Sequence, residues 1–176
     1  MISLKSKQEL ELMRIAGRIV AQILNELERM VAPGVATGEL DRFAEARCRD
    51  LKVLPAFKGY NGFPGCVCIS INEEVVHGIP SPKRFLKDGD IVGLDFGVIH
   101  AGWFGDSART IAVGQVSDAA RKLMTATQQG LMKGIEQCRE GNRVFDIGHA
   151  IQNHVEPLGY SVVREFVGHG IGRALH

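Results

Sequence analysis

"VGLDFGVIHAGWFGDSART", residues 92–110, sets two aspartates, Asp95 and Asp106, into a run that is otherwise apolar and dotted with glycine. The run reads as a β-hairpin that follows the Asp88-Gly89 turn and extends to Val113. Aspartate is a poor strand former, so two in one hairpin call for a chemical reason. A turn at His100-Ala101 makes Asp95 and Asp106 face each other, with Cβ atoms about 4.5–5.5 Å apart. A three-residue turn at 100–102 sets Asp95 against Ser107 instead. Directly opposed carboxylates destabilise a sheet unless one keeps its proton or a cation lies between them. A divalent ion with oxygen and nitrogen ligands suits the second remedy. The plainer reading puts each aspartate at a solvent edge or in an ion pair with Arg109. Spacing alone leaves both open.

Outward from the hairpin, the chain reads as mixed α+β. Ser6-Lys7-Gln8-Glu9 is a capping-box pattern, followed by apolar residues at Leu12, Ile15, Ile19, Ile23 and Leu27. This predicts an amphipathic helix to about Met30, stopped by Pro33-Gly34. A second helix is expected over about 37–51, and a loop over 52–65. "CVCISINEEVVHGIP" (66–80) reads as one or two strands. Helices return from Ser117 to about Cys138 and from about Val144 to Val155, and a short strand is expected after Gly159. An echo at an offset of 107 relates Gly34 to Gly141 and Leu51 to Leu158. It predicts two like halves, about 1–115 and 116–176, within a single domain. The second is expected to be incomplete, because His176 corresponds to position 69.

The 176 residues suffice for one domain with a sizeable core. A net charge of +1 argues against nucleic acid or an anionic membrane as the main partner. No apolar run approaches the roughly 20 residues of a membrane span, and MISLKSKQEL lacks a secretory signal, so the expected location is cytoplasmic. Four scattered cysteines are expected to be reduced thiols; Cys66-x-Cys68 puts two on one strand face without a second metal-binding pair.

Among six histidines, His149 and His154 lie on the last helix and read as surface or packing residues, and His100 falls in the turn. His169 differs. In Gly168-His169-Gly170-Ile171-Gly172 the neighbours lack side chains, which lets the imidazole approach another group closely. The G-x-G-x-G spacing, with no helix after it, is not a dinucleotide loop. His77, ahead of Gly78-Ile79-Pro80, is ambiguous alone.

Three stretches together, "YNGFPGCVCISINEEVVHGIP" (60–80), "DGDIVGLDFGVIHAGWFGDSART" (88–110) and "EFVGHGIGRALH" (165–176), resemble the type I methionine aminopeptidases of the pita-bread metallopeptidase superfamily. The resemblance runs along essentially the whole chain. It implies two pseudo-symmetric halves of helices on a curved antiparallel sheet, the second incomplete here. It implies a metal-dependent enzyme that removes the initiator methionine from nascent polypeptides, using two divalent ions (Co, Mn, Fe or Zn). The family's carboxylate ligands fall on Asp95 and Asp106, and its histidine ligand on His169. The substrate-contacting, catalytic histidines fall on His77 and His176. Tyr60, Phe63 and Cys68 match positions lining the methionine pocket.

Two further glutamate ligands of the family belong beyond the position of His176. Residues 1–176 alone are therefore expected to hold at most one ion weakly and to be inactive. The N-terminal methionine of nascent peptides, the ribosome, and a companion chain carrying the remaining sheet are the candidate partners. The competing reading is a non-catalytic pita-bread module, or a fragment, that binds metal or a protein.

Overall fold

A computed structural model describes residues 3–176. Among them are two compact units: one runs through Val116 and takes back His169–His176, and the other is Ser117–Gly168.

In the first unit, helix α1 (Lys7–Met30) begins as its capping box predicts. The Ser6 hydroxyl accepts from the Glu9 amide, and the Glu9 carboxylate accepts from the Ser6 amide. Ala16, Val20, Ile23, Leu24 and Leu27 recur every three or four residues, and all are buried. Helix α2 spans Thr37–Asp50. The sheet contains β1 (Leu54–Pro55), β2 (Val67–Ile71), β3 (Ile91–His100) and β4 (Trp103–Ala112). β4 lies along one edge of β3, while β1 and β2 share its other edge, all antiparallel.

β3 settles the two faces of the sheet. Val92, Leu94, Phe96 and Val98 are each 0% exposed and pack with the buried stripes of α1 and α2. The alternate residues Gly93, Asp95, Gly97 and Ile99 point the other way. On the helical side β4 presses against α1 at Gly105, where an added Cβ would lie 2.7 Å from the Ala16 carbonyl carbon. One face therefore makes the core and leaves the other for chemistry.

Two expectations about strands need correction. "CVCISINEEVVHGIP" gives one strand, within the one or two expected, but it stops at Asn72, where the backbone turns left-handed (φ 55°), and does not run on to Pro80. Residues 73–80 instead form a loop that doubles back along β2, with the Ile69 amide donating to the Gly78 carbonyl at 2.8 Å. No strand forms after Gly159, because no described residue supplies a ladder partner there.

In the second unit, α3 (Asp118–Ile135) and α4 (Val144–Val155) pack through small residues. Cβ atoms placed on Gly130 and Gly134 would meet Val155 and Ile151. The 107-residue echo corresponds to a repeated local device: Gly34 (φ 87°) and Gly141 (φ 91°) each end a connection, and Thr37 and Val144 each open the next helix.

Candidate functional site

The hairpin turn is Ala101-Gly102, with φ of 50° and 79°. Two positive φ values make the tight reversal whose twist matches that of the strands. The turn thus sits one residue later than His100-Ala101, because Gly102 takes a left-handed conformation most readily. Asp95 consequently faces Ala108, and Asp106 faces Gly97. The aspartates are diagonal rather than directly opposed, and Ser107 faces Phe96. A register two residues away from the expected one still leaves Asp95 and Asp106 on the same face.

Their carboxyls remain close enough to share a hydrogen bond. Burial, then the charge of Asp106, pushes the Asp95 carboxyl up to about 7, while the His169 imidazole pulls the other way. Asp106 is also raised by burial, with His169 opposing. Without a cation, the pair relieves its repulsion by keeping a proton. Arg109 does not serve them; it reaches Asn25 at 2.7 Å and pairs with Glu28.

Cys68 stands opposite Asp95 on the neighbouring strand. Burial, Asp95 and Asp106 together hold its thiol up at about 12, so it is a neutral, apolar wall. Cys66 is likewise buried and raised to about 12, and all four cysteines are free.

Residues 169–176 reach this face by crossing the outer edge of β4. The Phe104 amide donates to the Gly172 carbonyl at 2.9 Å. Behind the sheet, the Arg173 guanidinium lies 4.5 Å over the Trp103 ring and 3.4 Å from Glu9. Trp103 is 3% exposed, and its indole N–H has no partner. In front, Leu175 is buried with Ala56, Phe57 and Cys68, and Phe63 packs against the same cluster.

This strap carries two histidines to the aspartates. His169 Nε2 lies 3.7 Å from Asp106 Oδ2, and its Nδ1 is 3.2 Å from the Gly170 carbonyl. Nδ1 donates to that carbonyl, which leaves Nε2 as the ring nitrogen nearest Asp106. The His176 ring stacks at a tilt on His169, with centroids 4.2 Å apart. Its Nδ1 lies 3.0 Å from the Tyr60 hydroxyl.

The structure thus gathers Asp95, Asp106, His169, His176, Tyr60, Phe63 and Cys68. His77 stands on the loop that folds against β2, exposed, with φ 63°. Its neighbour Gly78 donates to the Ser70 hydroxyl at 3.2 Å. Sequence reasoning missed the supports of this site: Trp103, Arg173 and Leu175. Only the capping glutamate, Glu9, was already visible, and in another role.

Among the described residues, no three His, Cys, Asp or Glu side chains converge closely enough to enclose an ion unaided. The donors fit one nonetheless. Two buried carboxyls crowd together on one face, and an imidazole nitrogen stands 3.7 Å from one of them.

Comparison with known proteins agrees with this chemistry. The profile of metallopeptidase family M24 matches residues 11–176, and the chain belongs to that family. Its members work with divalent metal, and its architecture is the α+β pita-bread fold.

Within the family the similarity is to methionine aminopeptidases. The chain is 51% identical over 176 residues to the methionine aminopeptidase of Clostridium acetobutylicum, covering 100% of this chain and 70% of that one. It is 50% identical to methionine aminopeptidase 1 of Bacillus subtilis, again over the whole chain and 71% of the relative. The crystal structure of the Rickettsia prowazekii methionine aminopeptidase superposes with a TM-score of 0.97 at 42% identity, covering 100% of this chain and 71% of the other. No described helix is long and apolar enough to cross a membrane.

Proposed function

We propose that this chain belongs to a metal-dependent aminopeptidase that removes the N-terminal methionine from nascent polypeptides. The observation that carries the reading is the buried Asp95–Asp106 pair, raised together and met by His169, beside an apolar wall of Phe63, Cys68 and Leu175. Divalent ions, when bound, supply Lewis-acid polarisation and activation of water. Asp95, Asp106 and His169 would hold them; Co, Mn, Fe and Zn all accept such a mixed oxygen and nitrogen set.

The remaining residues have their own tasks. Tyr60, Phe63 and Cys68 accept the methionine side chain, the neutral thiol adding a polarisable surface. The Tyr60 hydroxyl orients His176, so that the far nitrogen of that ring can donate to the oxygen where charge develops in peptide cleavage. His77 holds the scissile amide from the opposite loop. Residues 1–176 carry three of the five ligands that the resemblance implies, so alone they are expected to hold at most one ion weakly.

The test is Mn²⁺ titration of the chain by calorimetry, beside Asp95→Asn, Asp106→Asn and His169→Ala. Each substitution should weaken binding by at least tenfold, as loss of one ligand implies. Methionine release from Met-Ala-Ser should follow when a relative's remaining C-terminal segment is joined to the chain. Equal Mn²⁺ affinity in all four proteins would overturn the assignment.

A further inference from the structure

Thr37 (0% exposed) and Ser70 (6% exposed) are the buried polar side chains among the described residues. A buried hydroxyl is costly unless bonded, so its partners reveal what it is for. Both hydroxyls are committed to one loop. The Thr37 hydroxyl donates to the Ser81 carbonyl at 3.1 Å and accepts from the Ser81 amide at 2.9 Å. The Ser70 hydroxyl accepts from the Gly78 amide. Between these anchors and β2 stands His77, a non-glycine residue at φ 63°. Such a conformation persists where its surroundings over-determine it.

The surroundings are closely built. The Gly38 amide also donates to the Ser81 carbonyl at 3.0 Å, and the Thr37 amide to the Arg84 carbonyl at 2.8 Å. A Cβ on Gly38 would come within 2.8 Å of the Pro82 nitrogen, and one on Gly78 within 2.1 Å of the Ile69 carbonyl oxygen. Ser70 faces Gly93, and Cys68 on the same side of β2 faces Asp95. The loop is therefore pinned to the face that carries the aspartates.

We infer that Thr37 and Ser70 are positioning residues: their buried hydroxyls fix the 77–82 loop so that His77 is held ready over the aspartate face. This rests on the role proposed above for His77. Both hydroxyls are bonded to loop backbone, and each acts through the loop.

The test is L-methionine binding to the Mn²⁺-loaded chain, followed by calorimetry. Thr37→Val keeps the shape and loses both bonds, and should weaken methionine about fivefold, the size of one or two ordinary hydrogen bonds. Thr37→Ser should restore it. In a His77→Ala background the same Thr37→Val change should have no further effect, since residues acting through one another are not additive. Mn²⁺ affinity itself should stay unchanged in Thr37→Val.

An equal loss with and without His77, or a parallel fall in Mn²⁺ affinity, would mean that Thr37 serves only general stability and would overturn the inference. Amide exchange in the unmutated chain answers the question without any ligand. The Gly78 and Ser81 amides should exchange on the order of tenfold slower than that of Glu73, and equal rates would also overturn it. Failure of the metal assignment would appear separately, as an Asp106→Asn protein that binds Mn²⁺ normally.

Discussion

Asp106 shares a sheet face with Asp95 yet pairs across the ladder with Gly97, so the two carboxyls meet on the diagonal. With Ala108 opposite Asp95 and no side chain opposite Asp106, the acids have room to converge on a third group. The cost is a buried like-charge pair when nothing neutralises it.

That cost should be measurable. Asp106→Asn removes one charge from the pair, and in metal-free protein at pH 8 it should raise unfolding stability by about 1–3 kcal/mol. With Mn²⁺ present the order should reverse, because only the unmutated pair gains from the ion. Urea unfolding with and without Mn²⁺ checks both signs. A variant that is less stable without Mn²⁺, or that stays the more stable protein with it, would contradict the account of the pair.

The same pair predicts how stability depends on pH. Asp95 titrates near 7 in the folded chain, against 3.8 ordinarily. Between those values the folded state holds a proton that the unfolded state has lost. Stability contributed by this group therefore falls as pH rises from about 4 to about 7, by up to roughly 1.4 kcal/mol per unit, and levels off above. Saturating Mn²⁺ should flatten the slope. Denaturation midpoints at pH 5, 6, 7 and 8 measure it.

Much of the site was legible in the sequence, and parity explains why. The turn expected at His100-Ala101 moved to Ala101-Gly102, which shifted the register by two residues. A shift of two keeps every side chain on its face, so Asp95 and Asp106 still share a face although they no longer stand directly opposite each other. The bounds of α1 were legible because its capping box and apolar spacing agreed, and those of α2 and α4 fell within a residue of expectation. The strand expected after Gly159 was not, since strands depend on partners that local sequence does not name. Arg173 and Trp103 lie 70 positions apart, and only the fold brings them together.

The turn offers a stabilising change. Ala101 is exposed at φ 50°, a conformation that costs alanine more than asparagine or glycine. Ala101→Asn should add about 0.5–1 kcal/mol, seen as a higher urea midpoint with an unchanged slope. A lower midpoint would show that the turn is not the one described.

The close approach of β4 to α1 predicts the opposite. Gly105→Ala would place a methyl 2.7 Å from the Ala16 carbonyl carbon, with the helix backbone unable to yield as a side chain would. A loss of about 1–3 kcal/mol is expected, against a gain of about 0.5–1 kcal/mol for Gly17→Ala, which lies inside α1 with no atom within 4 Å. The two denaturation curves, run side by side, check the contrast.

The indole beneath Arg173 belongs to the sole tryptophan of the chain. Nature has thereby furnished an unlabelled optical gauge at the back of the sheet, wired by four residues of backbone to the imidazole at the front. Anything that lifts or settles the terminal strap should shift its emission, turning ordinary fluorescence into a record of how the histidines come and go.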